Sequence, residues 1–113
     1  MVKLRTVMLT SVATFSMTSG YAACMSPEEV SVPDGKQASM EDMLAAQTAV
    51  KSYLAEMEDY LKCLDEEAAA QGDAQTEEQS AAHVARHNSG VDAMERVANS
   101  FNEQIRAYKA LND

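Results

Sequence analysis

From residue 39 onward the apolar side chains return in alternating steps of three and four. Met43, Val50, Leu54, Met57, Leu61, Leu64 and Ala68 form one such seam, with Gln47 in the missing place. Ala46, Tyr53 and Tyr60 recur every seven residues beside it and widen the stripe. A second seam runs through Val84, His87, Val91, Met94, Ala98, Phe101, Ile105 and Tyr108, flanked by Val97 and Leu111. Spacing of this kind puts side chains on one face of a helix, whereas a strand needs alternation. The heptad form is that of coiled-coil packing. No proline follows Pro33, and alanine is abundant, which is a helical composition.

The ends of the two helices are marked as well. Ser39 with Asp42 three residues on resembles a capping box, so helix one is expected over 39–71, stopped by Gly72. Thr76 with Gln79 repeats the pattern, so helix two is expected over 76–111. Gly90 follows Asn88-Ser89, but the heptad phase runs through it, so a bend at most is expected. Each helix would be about 50 Å long. A link of a few residues forces them antiparallel. Leu64 then faces Val84, Leu61 faces His87, Met57 faces Val91, Leu54 faces Met94 and Met43 faces Ile105. Residues 23–38 hold Pro27, Pro33 and the turn pair Asp34-Gly35, and should be extended.

The first 22 residues read differently. Lys3 and Arg5 precede an uncharged stretch from Val7 to Ser19, followed by Gly20, Tyr21 and Ala22. That is the pattern of a secretory signal peptide over 1–22, with a cut after Ala22. The stretch is too short and too rich in Ser and Thr to span a membrane. An alternative reading makes Cys24, after Ala22-Ala23, the acylated residue of a lipoprotein signal. Export changes the meaning of the two cysteines. Cys24 and Cys63 are an even pair in a chain bound for an oxidising compartment, which reads as a disulfide, with two unrelated thiols as the other reading. Fifteen extended residues from Cys24 to Ser39 reach up to ~50 Å, enough to run back beside helix one to Cys63. Val30 and Val32 would then cover part of the seam. The fold class expected is all-α: an antiparallel two-helix hairpin, coiled-coil-like, with an extended N-terminal segment stapled by one disulfide. A two-helix hairpin buries little, and a dimer forming a four-helix bundle would bury more.

Charge narrows the partners. The 113-residue chain has a net charge of −9, and removal of residues 1–22 leaves 7 basic against 18 acidic residues, or −11. A chain so acidic lacks the basic surface that nucleic acid or anionic lipid requires. It suits a basic protein partner, while the small buried core is what makes self-association as a dimer the other reading. Between Lys62 and Arg86 stand Asp65, Glu66, Glu67, Asp73, Glu77 and Glu78 with no basic residue among them, and this acidic tip is the expected contact surface. Asp65 to Glu67 lie near the C-terminal end of helix one, where the helix dipole disfavours negative charge.

Catalytic chemistry has little to stand on. No nucleophile elbow or phosphate-binding loop occurs, a hairpin offers no ready pocket, and no residue set calls for a cofactor. No enzyme activity is expected. His83 and His87 share a helix face at i and i+4, the spacing of helical metal sites. They are the residues of the alternative reading, a small periplasmic metal or ligand carrier, with Asp and Glu at 65–67, 77 and 78 as the nearest further ligands. HExxH is absent, since Val84 and Arg86 occupy its inner places. His87 sits on the seam, where it can bond Tyr60 across the hairpin. Met40 and Met43 form an MxxM, a spacing used by some copper binders, but Met43 and Met57 are seam positions, where Met fills core.

Several strings taken together resemble a known group: Cys24, Val32-Pro33-Asp34-Gly35, Ala38-Ser39-Met40-Glu41-Asp42-Met43-Leu44-Ala45-Ala46-Gln47, Tyr60-Leu61 and Cys63-Leu64, then Val91-Asp92-Ala93-Met94 and Phe101-Asn102-Glu103-Gln104. The chain resembles a family of small exported two-cysteine proteobacterial proteins of unknown function. The resemblance implies an exported location, periplasmic or extracellular, and a paired Cys24–Cys63. It brings no activity and no site residues. The functional expectation is therefore a helical protein acting by protein contact or as an envelope structural element.

Overall fold

The computed structural model describes residues 24–112, so the signal peptide expected over 1–22 lies outside the described residues. Two long helices make up most of the fold. Helix α1 spans Met40–Gln71 and helix α2 spans Glu77–Asn112. A single 3-10 turn, Gly72–Ala74, joins them. Among the described residues there is no strand. The helices pack against each other as an antiparallel hairpin.

Local chemistry explains the boundaries. The Ser39 hydroxyl accepts from the Asp42 amide at 3.1 Å, and the Asp42 carboxylate accepts from the Ser39 amide at 3.2 Å. These two bonds satisfy donors that the first turn leaves orphaned. Thr76 and Gln79 repeat the arrangement at 3.1 and 2.9 Å, and Ser80 then donates to the Thr76 carbonyl to begin α2. Gly72 ends α1 with φ at +47°, a conformation that an L side chain resists, and its amide closes on the Ala68 carbonyl. Gly90 leaves α2 continuous and is buried. A Cβ there would stand 2.9 Å from Leu61 Cδ2 and 3.2 Å from Met57 Sδ, so its lack of a side chain lets the helices approach closely.

Residues 24–38 form a strap along the hairpin. Cys24 is bonded to Cys63 with 5.7 Å between their Cα atoms. A sulfur so bonded has no valence left for a thioether, so this disulfide and an acylated Cys24 are mutually exclusive. Further along, the Glu29 carboxylate receives two hydrogen bonds from the Arg96 guanidinium at 3.0 and 3.1 Å. The Gly35 amide donates to Gln104 Oε1 at 2.8 Å. The strap is thus tied to α1 at one end and to α2 along its length. It runs antiparallel to α1 and parallel to α2. At Asp34 the chain turns back: the Gln37 and Ala38 amides donate to the Asp34 carbonyl, and the Lys36 amide donates to the Asp34 side chain at 3.0 Å. Gly35 is buried at this turn, and a Cβ on it would land on the Gln104 carbonyl.

The core lies between the three pieces. Met43, Ala46, Val50, Tyr53 and Met57 of α1 meet Val97 and Phe101 of α2, and Val30, Val32 and Ala38 of the strap pack against them. The expected seams need a correction here. On α1 the seam positions Met43, Val50, Met57 and Leu64 are buried together with the flanking Ala46 and Tyr53, while Leu54 and Leu61 are half-buried. On α2 it runs through Gly90 and Val97, while Val91 and Ala98 are half-buried and Val84 is 52% exposed. The cause is the strap. It covers the Tyr53 side of the hairpin and draws the core toward itself. The expected register holds: Asp65 meets His83 one step from the expected Leu64–Val84 pair, and Gly90 lies against Met57 and Leu61 beside the expected Met57–Val91 pair.

Candidate functional site

The expected contact residues gather at the tip, where α1 ends and α2 begins. Below the tip lies an open cleft of about 260 Å³ between the helices. Leu64, Ala68, Gln71, Gln75, Gln79, Glu67, His83 and Arg86 are among the residues that line it. The helix pair is not sealed here because the facing positions are polar or small. The disulfide stands beside this cleft. The Glu67 carboxylate lies 3.3 Å from the Cys24 sulfur, which carries no proton in the disulfide and donates nothing.

Arg86 organises the site. It lies 3.8 Å from the Glu67 carboxylate and donates to the Cys24 carbonyl at 3.3 Å, so one guanidinium joins α2 to both α1 and the strap. His83 Nε2 lies 3.3 Å from Asp65 Oδ1. The structure therefore divides the six tip acids. Asp65 and Glu67 face basic side chains across the hairpin. Glu66, Asp73, Glu77 and Glu78 are exposed and make no ion pair among the described residues. Glu77 and Glu78 occupy the first turn of α2, where the dipole favours them. The last turn of α1 is uncharged, 68–71, so Asp65 to Glu67 stand a turn back from the helix end. The dipole penalty expected for them is correspondingly weak, because it fades within the final turn.

The two histidines are neighbours, with ring centroids 6.2 Å apart and planes inclined by 48°. Among the described residues, no three His, Cys, Asp or Glu side chains converge in a way that could hold a metal ion. The expected His87–Tyr60 bond is not made. His87 is half-buried and forms no side-chain hydrogen bond among the described residues. The Asp65 carboxylate beside the His83 imidazole can orient it, and both cysteines are oxidised. The arrangement is suited to recognising polar and charged groups, through amide side chains and carboxylates.

Sequence reasoning missed Arg86, which braces this site, and Glu29, which ties the strap to α2 farther along. Arg86 was visible only as the end of an acid-rich stretch, although it is the only base between Lys62 and Arg96. Glu29 lies in the segment expected to be extended, where nothing local marks a partner. Its hydrogen bonds from Arg96 hold its carboxyl below the ordinary range and raise the Arg96 guanidinium in turn. Tyr53 beneath this pair is pushed above its usual value by burial first and by the Glu29 charge second.

No family model, no curated protein and no solved structure matches the chain. Among the described residues no helix is long and apolar enough to cross a membrane.

Proposed function

We propose that this is an exported helical protein, without enzyme activity, that works by protein contact through its tip or as a structural element of the cell envelope. The disulfide is consistent with an oxidising, exported location, periplasmic or extracellular. The resemblance to small exported proteobacterial proteins points the same way. One observation carries the contact reading: four exposed carboxylates, on Glu66, Asp73, Glu77 and Glu78, stand without an ion pair among the described residues at the tip of the hairpin, which the disulfide and Arg86 tie to the strap. A rigid acidic rim with no internal counter-charge suits a partner that presents lysine or arginine.

The test is crosslinking in the native cell, followed by capture with the purified oxidised protein. Replacing Glu66, Asp73, Glu77 and Glu78 with their amides keeps shape and removes charge. Capture of the crosslinked partner should be lost with the amide variant and should weaken as salt is raised. Undiminished capture by that variant would reject the tip as the contact surface.

A further inference from the structure

The strap covers one side of the hairpin only. Consecutive residues of a helix are about 100° apart, so Leu61 lies ~160° around α1 from Cys63, and Ala98 lies ~160° around α2 from Arg96. The face opposite the strap therefore belongs to Leu44, Leu54 and Leu61 of α1 and Val84, Val91 and Ile105 of α2. None of these six is fully buried, and Leu44 and Val84 are 56% and 52% exposed. At the open end, Met40 and Leu44 with Ile105 and Lys109 line a shallow groove of about 330 Å³ on this face. The face is about 48 Å long, from 32 helical residues. Two helices 8–10 Å apart make it roughly 18 Å wide. Its area, on the order of 800 Å², is what one partner contributes to a stable protein interface.

The charge distribution says what covers it. Residues 55–95, the tip half of the hairpin, carry 11 acids and 2 bases, whereas residues 34–54 and 96–112 at the open end carry 4 acids and 5 bases. The hairpin is electrically polarised along its length. A second copy stacked tip to tip would bring two acidic halves together. A second copy stacked tip to open end sets each acidic half beside Lys51, Arg106 and Lys109 of the other. A two-fold axis lying in the face and perpendicular to the helices generates this arrangement and makes the contact self-complementary.

We infer that the face opposite the strap is a homodimer interface, on which two hairpins pack antiparallel, tip to open end, as a four-helix bundle with a strap on each outer side. This rests on the reading that the chain acts by contact and leaves both acidic rims exposed for other partners.

Sedimentation of the oxidised protein across concentrations and salt tests it. Wild-type protein should sediment as a dimer at micromolar concentration. Leu44→Glu with Val84→Glu should weaken association at least about tenfold, since 1.4 kcal/mol is a factor of ten and two apolar contacts are lost. Both positions are more than half exposed, so the helical circular dichroism of that variant should be unchanged, which keeps misfolding from imitating the result. Spin labels on Asp73→Cys should lie more than about 40 Å apart in the dimer, because each tip then sits near the other copy's open end. A wild-type monomer at 100 µM overturns the inference, as does a tip-to-tip distance below about 30 Å. A monomer that still captures its partner through the acidic rim would overturn the dimer alone, and a dimer that captures nothing would overturn the tip reading alone.

Discussion

At the scale of single residues, two glycines that look alike in the sequence have different roles. At Gly90 an added Cβ meets the ends of the Leu61 and Met57 side chains, which can move aside. Alanine also raises helix propensity, by up to about 1 kcal/mol. Gly90→Ala should therefore lie within about 1 kcal/mol of wild type. At Gly35 the obstacle is the Gln104 backbone, with the Tyr108 amide nitrogen at 3.0 Å. No rotamer change relieves that contact, and Gly35→Ala should cost about 1–3 kcal/mol. Urea titration of both variants tests the contrast, and equal costs would contradict it. The sequence marked Gly35 as a turn residue and Gly90 as a bend risk. Neither reading contained the reason, since a close approach between residues 69 positions apart leaves no local trace. The pair Glu29–Arg96 was hidden for the same cause.

That pair also sets a pH response. The Glu29 carboxyl is depressed by its hydrogen bonds from Arg96, so the unfolded chain takes up the proton more readily. The contribution is fully present above the unfolded value of ~4.3 and is lost as pH falls through the lower folded value. Glu29→Gln should flatten this acid limb in thermal melts between pH 2 and about 5. Tyr53 works in the opposite sense. Burial raises its phenol, so stability holds below the unfolded value of ~10 and declines as pH rises through the folded one. Ultraviolet titration of tyrosinate should show a transition above the ordinary tyrosine range that is lost in Tyr53→Phe. A titration curve whose late transition survives Tyr53→Phe would count against a buried Tyr53.

At the scale of elements, the helices were legible because their determinants are local. Both capping boxes, the Gly72 stop and the apolar periodicity lie within a few residues of what they control, and α1 and α2 begin and end within a residue of expectation. The strap was legible as extended and as reaching Cys63, but its side was not. That choice moved Tyr53 from the flank of the stripe into the core, at 2% exposure, and left Leu54 and Leu61 half-open. Heptad arithmetic cannot see a third piece of chain lying against the pair. Removal of the crosslink should act first on this piece. The disulfide closes a loop between residues 39 positions apart, which chain entropy values at roughly 4 kcal/mol. Cys24→Ser with Cys63→Ser should lower stability by up to that amount. Hydrogen exchange should speed up at the Gly35 amide before it does in the middle of α1. Uniform loss of protection throughout would mean that strap and hairpin unfold as one unit.

For the whole molecule, the tip was legible as an acidic surface but not as a braced one. The six acids could be counted, yet their division into paired and exposed sets depends on Arg86 and His83 reaching across the hairpin. The bond from Cys24 to Cys63 also fixes how the molecule carries a mechanical load. A pull applied ahead of Cys24 is passed through covalent bonds to Cys63, close to the tip, and bypasses the strap and most of α1. The chain from Cys24 to Cys63, 39 positions apart, forms a closed ring that tension between the chain ends cannot extend. Stretched singly from its termini, the oxidised protein should release only α2, the connection and the last turns of α1. Adding a reductant should lengthen the fully extended chain by about 130–140 Å, the contour of the hidden ring. A tether attached ahead of the strap would thus hold this hairpin by its tip end rather than by the start of its first helix.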